Sequence, residues 1–350
     1  MKRFIKRIAF WGLLALTLNV LVAMVVYSLR HDDYYEDYEV CLLMEKQEAL
    51  FEKGDSANTV FIGTSKTHRQ IIPTLFDSLV PGAYAFNLGQ GSLTAPRNLD
   101  FTNHLLEKKS DFKAIFLELA VLDRMLSNYQ SDPVIQYMSP YRYALGLDYA
   151  LHYKNIDWQE KWNYFKYYSL AFFYKYLGFS SQKRIKLLLN IPVYEPEQEC
   201  AKFDVRANRG FYAVDQDLRE HQGADLKSRR KSFLQNPLPQ GLYVGAKTAK
   251  KIDASLFNQE FRTNLKNWKK NNIPVYFILP PRAYKVELYV LEQLKAIAQE
   301  EGFPVLDFSD PKQYPELYQV ANSFDNAHLN YEGAKIYTRL IAEKYASLKK

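Results

Sequence analysis

Three short stretches hold the residues whose types and spacing could do covalent chemistry. The first is Ile62-Gly63-Thr64-Ser65, where an apolar run ends in glycine and a serine opens a helical pattern. A serine at such a turn sits exposed at a sheet edge. Its own N–H, at a helix N-terminus, can face a developing oxyanion. The second is Phe86-Asn87-Leu88-Gly89-Gln90-Gly91-Ser92, whose glycines let a backbone N–H approach a ligand closely. The third is Asp325-Asn326-Ala327-His328-Leu329-Asn330. An acid and a histidine three apart share one turn, so the carboxylate can hold the imidazole in its working tautomer. A neutral histidine then takes the proton from serine and later returns it to the leaving group.

Each stretch alone has an ordinary explanation. Serine is a common helix cap, glycines make tight turns, and an isolated D-x-x-H is more often a cap or surface chemistry. His68 lies one helical turn after Ser65 but has no adjacent carboxylate to orient it, so a structural or substrate-contacting role outranks catalysis. His104, His152 and His221 belong to no visible constellation.

In this order the three blocks resemble the SGNH/GDSL hydrolase superfamily, over about residues 57–345 apart from a central insertion. The resemblance implies Ser65 as nucleophile, Asp325 as supporting acid and His328 as base. It implies an oxyanion hole built from Ser65 and Gly91, with Gly89 as the fallback, and His68 and Asn87 are candidate substrate contacts. Two departures stand out. The usual G-D-S is G-T-S here. The third block, normally G-x-N-D, reads Phe116-Leu117-Glu118-Leu119-Ala120-Val121-Leu122-Asp123 and lacks its Asn donor. Loss of one oxyanion donor can cost roughly 10²–10³ in rate, so another residue fills in or the activity is slow or specialised.

An N-terminal anchor, a large insertion and an atypical third block look like the membrane-anchored branch containing the lipoteichoic acid D-alanylation protein DltD and the SGNH proteins of exopolysaccharide acetylation. That branch implies a serine acyltransferase or acyl-esterase acting on envelope polymers or polysaccharide, beside a membrane-bound O-acyltransferase. The competing expectation is a non-catalytic glycan-binding or envelope-assembly subunit that keeps the fold.

The elements that must position these residues follow from hydropathy. Short apolar runs at 59–63, 84–88, 115–119, 275–279 and 305–308 suit buried parallel strands. Helical patterns at about 67–79, 96–109, 255–271, 287–301 and 331–347 lie between and after them. The expected fold is an α/β three-layer sandwich around a central, mostly parallel sheet of SGNH/flavodoxin-like type, with ligands at the carboxyl ends of the strands. The insertion, about 130–250, begins with an aromatic helical pair. It continues into a segment with seven Lys or Arg and no acid from Lys227 to Lys251, either a lid with an anion-facing rim or a solvated insertion.

Residues 8–29 form 22 uncharged positions, about 33 Å as a helix and enough to cross the hydrocarbon core. Lys2, Arg3, Lys6 and Arg7 precede them and acids follow, which predicts a cytoplasmic tip and anchor (1–30), a stalk with a first helix (31–56) and an extracytoplasmic domain (57–350). An uncleaved anchor is favoured over a cleaved signal peptide because the run is long and no A-x-A site follows. Removing those four cations from the net charge of +7 leaves +3, so no nucleic-acid footprint is indicated. Cys41 and Cys200 form no metal-binding pattern, and spacing leaves their pairing open. No metal or nucleotide cofactor is expected. The 27 Tyr and 22 Phe suit wet clefts and membrane-facing rims as well as ordinary packing.

Overall fold

The computed structural model describes residues 2–29, 41–52, 57–91, 93–121, 138–152, 157–177, 203–239, 242–285 and 287–349. Ser92, Asp123, Cys200 and the acidic stretch 31–40 lie outside them. In chain order the elements begin with α1 (Lys2–Leu29), α2 (Cys41–Glu52), β1 (Thr59–Ile62), α3 (Ser65–Gln70) and α4 (Pro73–Leu79). Next come β2 (Ala85–Asn87), α5 (Arg97–Lys108), β3 (Ala114–Glu118), α6 (Pro140–His152) and α7 (Trp158–Tyr176). The chain continues with α8 (Val214–His221), α9 (Ala224–Gln235), α10 (Leu256–Lys270) and β4 (Val275–Leu279). It ends with α11 (Leu288–Glu300), β5 (Val305–Asp307) and α12 (Tyr331–Leu348).

The protein divides into two compact units, one of Met1–Met44 with Arg124–Glu199 and one of Glu45–Asp123 with Cys200–Lys350. Of the stretch expected as an insertion, only the part up to Glu199 groups apart from the sheet. In the first unit α6 and α7 form a helical pair. Tyr143 stacks on Phe172 at 4.8 Å and its hydroxyl meets Ser169 Oγ at 2.9 Å. Gly146 is needed there, since a Cβ would meet the Tyr168 ring at 2.1 Å. Within α1, Phe4–Val25 has a mean hydropathy of 2.3 and is long and apolar enough to cross a membrane.

The second unit is an α/β body around five parallel strands in the order β2-β1-β3-β4-β5. The chain runs from β1 to β2 on one side, then returns to place β3 on β1's other side. In such sheets the carboxyl ends of the two strands flanking that reversal leave a crevice. Here those ends are Ile62 of β1 and Glu118 of β3.

Register explains the core. Phe61 pairs with Phe116, and Phe116 with Tyr276, so one face carries a row of rings. Phe61 and Phe116 stack at 4.7 Å, and Phe116 also meets Phe76 of α4 and Tyr345 of α12 edge-on at 5.5 and 5.1 Å. Phe277, one residue further along β4, packs instead on Phe261 and Trp268 of α10. The helix expected over 67–79 is two helices. Pro73 offers no N–H and disfavours helical backbone before it, so Ile71 and Ile72 are extended and Pro73 starts α4. The break turns α3 into a short platform for Ser65.

Phe116→Ala should cost about 3–5 kcal/mol of unfolding free energy, because a fully buried ring with four aromatic neighbours leaves a cavity that the rigid strand cannot close. Urea unfolding of the two proteins measures this, and a loss under 1 kcal/mol would contradict the packing described here.

Candidate active site

The serine turn is built by its neighbours. Thr64, not Ser65, is the N-cap of α3, and its Oγ1 accepts the Lys66 N–H at 3.2 Å. Ser65 is therefore the first helical residue, whose N–H has no intrahelical acceptor, and its hydroxyl is left for other work. The Glu118 carboxylate organises the turn from β3. It accepts the Thr64 N–H at 2.9 Å, the Thr64 hydroxyl at 2.7 Å, the Thr67 N–H at 3.3 Å and the Thr67 hydroxyl at 2.7 Å. Gly63 permits this approach, since a Cβ there would come within 2.5 Å of Glu118 and 2.3 Å of Thr67 Oγ1.

The loop after β2 is fixed to the same turn. Gln90 N–H donates to Gly63 O at 2.9 Å. Asn87 is fully buried, with both amide hydrogens on Thr67 O (2.7 Å) and Ile71 O (2.8 Å) and its Oδ1 accepting the Gly89 N–H at 2.9 Å. Of the two expected roles, a substrate contact by Asn87 and oxyanion donation by Gly89, neither finds a free hydrogen in this arrangement. The Asn87 amide joins β2 to α3, and the Gly89 N–H closes its loop back onto Asn87. The Gly91 N–H makes no hydrogen bond among the described residues. Gly89 must stay small, because a Cβ would meet His68 N at 2.3 Å.

His68 is buried, and its ring meets no carboxylate among the described residues. Its Nδ1 lies 2.9 Å from Lys46 Nζ of α2 and 3.1 Å from Gly210 O. The same lysine donates to Gly89 O at 2.5 Å. Gly210 O can only accept whereas Lys46 brings donors, so the two contacts compete for Nδ1 and the ring's tautomer decides which is a hydrogen bond. Burial, then the charges of Lys46 and Arg69, hold His68 well below the ordinary histidine range. Burial likewise lowers Lys46.

At the far end of the chain, Ser65 Oγ lies 2.9 Å from His328 Nε2, and His328 Nδ1 lies 3.0 and 3.1 Å from the two oxygens of Asp325. Asp325 Oδ1 also accepts the backbone N–H groups of Ala327 and His328, both at 2.7 Å, which winds the acid and the base into one turn. That carboxylate resists protonation: burial alone would raise its pKa, but the His328, Arg229 and backbone contacts outweigh burial and bring it well below the usual range. Burial pushes His328 below its ordinary value, against the pull of Asp325.

Arg282, just past β4 and fully buried, shapes the loop from beneath. Its Nε and Nη2 donate to Leu317 O at 3.0 and 2.8 Å, Nη1 donates to Asp325 O at 2.7 Å and His328 O at 3.1 Å, and Nη2 reaches Ser323 Oγ. Its own carbonyl accepts Lys66 Nζ at 3.0 Å, which ties the serine's helix to the same anchor. From above, Arg230 Nη1 donates to Ser323 O and Phe324 O at 2.8 Å, and the Tyr243 hydroxyl donates to Asn326 O. Arg229 Nη2 donates to Asp325 Oδ2 and sits 2.9 Å from His328 Nδ1. The basic segment thus turns two arginines onto the acid–base loop.

Sequence reasoning named Ser65, Asp325 and His328, which the fold brings into hydrogen-bonding sequence. It missed Glu118, Arg229, Arg282 and Lys46 as parts of the site. Two of them carried a signal: a glutamate inside an apolar strand and an arginine directly after Pro280-Pro281 both need a buried partner. No protein-family model, characterised protein or solved structure matches the chain. Among the described residues no group of His, Cys, Asp and Glu could hold a metal ion.

Arg282→Met should destabilise the protein by several kcal/mol, because it leaves Leu317 O, Asp325 O and His328 O without their donor at about 1–3 kcal/mol for each unsatisfied buried group. Unfolding in urea reads this directly. A stability within 1 kcal/mol of wild type would show that the loop does not depend on this residue.

Proposed function

We propose that this chain is a serine-dependent acyltransferase or acyl-esterase. The observation that carries the reading is the hydrogen-bonded series from Ser65 Oγ through His328 to Asp325, with 2.9 Å at the serine and 3.0 Å at the acid. In the proposed reaction Ser65 Oγ attacks an ester carbonyl while its proton passes to His328 Nε2. The tetrahedral intermediate collapses, the alcohol leaves with that proton, and an acyl-serine remains. Water or an acceptor hydroxyl then attacks the acyl-serine, giving its proton to His328, which returns it to Ser65 Oγ. Asp325 holds the imidazole with Nδ1–H toward itself throughout and stabilises the imidazolium without taking a proton. The N–H groups of Ser65 and Gly91, neither with a hydrogen-bond partner among the described residues, are the proposed oxyanion donors.

The strand order and the packing of Phe116 and Phe277 on different helices support a three-layer arrangement of SGNH type, which belongs to the same proposal. So do a membrane anchor in α1 with the catalytic unit outside, and acyl groups on an envelope polymer or polysaccharide as substrate, handled beside a membrane-bound O-acyltransferase. Charge flanks and the order of the three blocks support these last points.

Incubating the full chain in detergent with a fluorophosphonate probe should label wild type and leave Ser65→Ala unlabelled; equal labelling of both proteins would remove Ser65 as the nucleophile. The pH profile carries its own expectation. His328 must be neutral to accept the proton, and its pKa lies below the ordinary value. Neutral imidazole therefore persists as pH falls, and the acid limb of labelling should have its midpoint below about 6.5. A midpoint above that value would mean that Asp325 outweighs burial at this ring.

A further inference from the structure

We propose that Arg229 is a positioning residue for the acid–base pair, keeping His328 in its neutral, proton-accepting form. The inference rests on the acyl-transfer reading of Ser65, His328 and Asp325. Arg229 comes from α9, about a hundred residues before the loop it touches, and its Nη2 contacts both members of the pair. Because Nδ1–H is committed to Asp325, the 2.9 Å approach of Nη2 to Nδ1 is a charge placed against the ring, not a second hydrogen bond. The guanidinium cannot lose its proton. An imidazolium at 328 would therefore face a permanent like charge, while a neutral ring would not. By taking Asp325 Oδ2, Arg229 also shares the carboxylate that would otherwise favour the imidazolium.

The charges around His328 can be named from each side. Asp325 comes from its own loop, Arg229 from α9, Lys66 and His68 from α3, and Arg282, past β4, reaches the His328 carbonyl from beneath. Only Asp325 favours protonation. Arg229 and Lys66 oppose it, and burial opposes it most.

A plain tether between α9 and the loop would explain the contact equally well if Arg229 were the tether. It is not needed as one. Arg230 already fastens the helix to Ser323 O and Phe324 O, and Tyr243 and Leu238 fasten the following segment to Asn326. Arg229 instead stays 37% exposed and borders a cavity of about 370 Å³ with Ser228, Ser232, Phe233, Tyr284 and Asp325. Its other interaction, Nη1 to Asp225 at 3.6 Å, is with a solvent-exposed carboxylate.

The test compares wild type, Arg229→Gln and Arg229→Lys as full chains in detergent, following fluorophosphonate labelling against pH, His328 titration by NMR, and urea unfolding as a control on folding. Arg229→Gln should move the acid limb upward by on the order of one pH unit, cutting labelling about tenfold below the midpoint and leaving it near wild type at alkaline pH. Arg229→Lys, which keeps the charge, should restore most of the profile. Superimposable profiles for wild type and Arg229→Gln, or an equal loss at every pH, would overturn the proposal. Labelling that ignores Ser65→Ala would instead sink the acyl-transfer reading. The NMR titration still decides the role of Arg229 in that case: an unmoved His328 midpoint rejects it, and an upward shift supports it.

Discussion

The arrangement at Ser65 depends first on one buried cation. Arg282 lies beneath the loop that carries Asp325 and His328, with no carboxylate bonded to it among the described residues, and burial pushes it down to about 10, so it stays charged at neutral pH. A guanidinium has five N–H donors, and here all five end on Leu317 O, Asp325 O, His328 O and Ser323 Oγ. Four of those five bonds go to backbone carbonyls, so the side chain prescribes the path of the chain from 317 to 328 rather than the rotamer of one neighbour. Its backbone is left-handed at φ +61°, a conformation that costs a non-glycine residue about 1–2 kcal/mol and persists only where surroundings over-determine it. The cost is offset because the loop would otherwise bury unpaired carbonyls.

The serine side uses a second buried charge of opposite sign. Glu118 collects two N–H groups and two hydroxyls from Thr64 and Thr67, as Arg282 collects carbonyls. These two devices lie at the carboxyl ends of β3 and β4, which are neighbours in the sheet. Parallel pairing aligns those ends, so residues separated by 263 positions can meet at 2.9 Å. Lys66 closes the frame by bonding the carbonyl of Arg282 from the helix that begins with Ser65. Neither side chain touches the Ser65 hydroxyl, yet each fixes one partner of the 2.9 Å contact.

This division explains what could be read from the sequence. The five strands were legible because buried parallel strands need continuous apolar, β-branched runs, and little else in the chain looks like Thr59–Ile62 or Val275–Leu279. Asp325 and His328 were legible because their relation is local, three residues within one turn. The supporting charges were not, since the partners of Glu118, Arg229, Arg282 and Lys46 all lie in other elements and only the fold names them. Glu118 was visible as a departure from an expected motif, but its bonds to the threonines were not. That pairing also gives a physical reason for Thr64 before the serine: a hydroxyl can donate to Glu118 and accept from Lys66 at once, whereas a second carboxylate would face Glu118 with like charge.

The same charge pattern bears on the asparagine donor that the proposed SGNH resemblance would call for. An oxyanion hole works by placing fixed positive potential where negative charge develops. Lys66, Arg229 and Arg282 surround the Ser65–His328–Asp325 series, against the two acids Asp325 and Glu118. Asp325 is engaged by Arg229 and His328, and Glu118 is turned onto Thr64 and Thr67. The excess positive charge would favour a tetrahedral anion on Ser65 even with two backbone donors in place of three. It would equally disfavour imidazolium formation in the free protein. Under the proposed chemistry these effects meet in one step with opposite signs: the proton reaches His328 only as the oxyanion forms beside it, so the cations favour the anion of that pair while opposing its imidazolium, which Asp325 must hold.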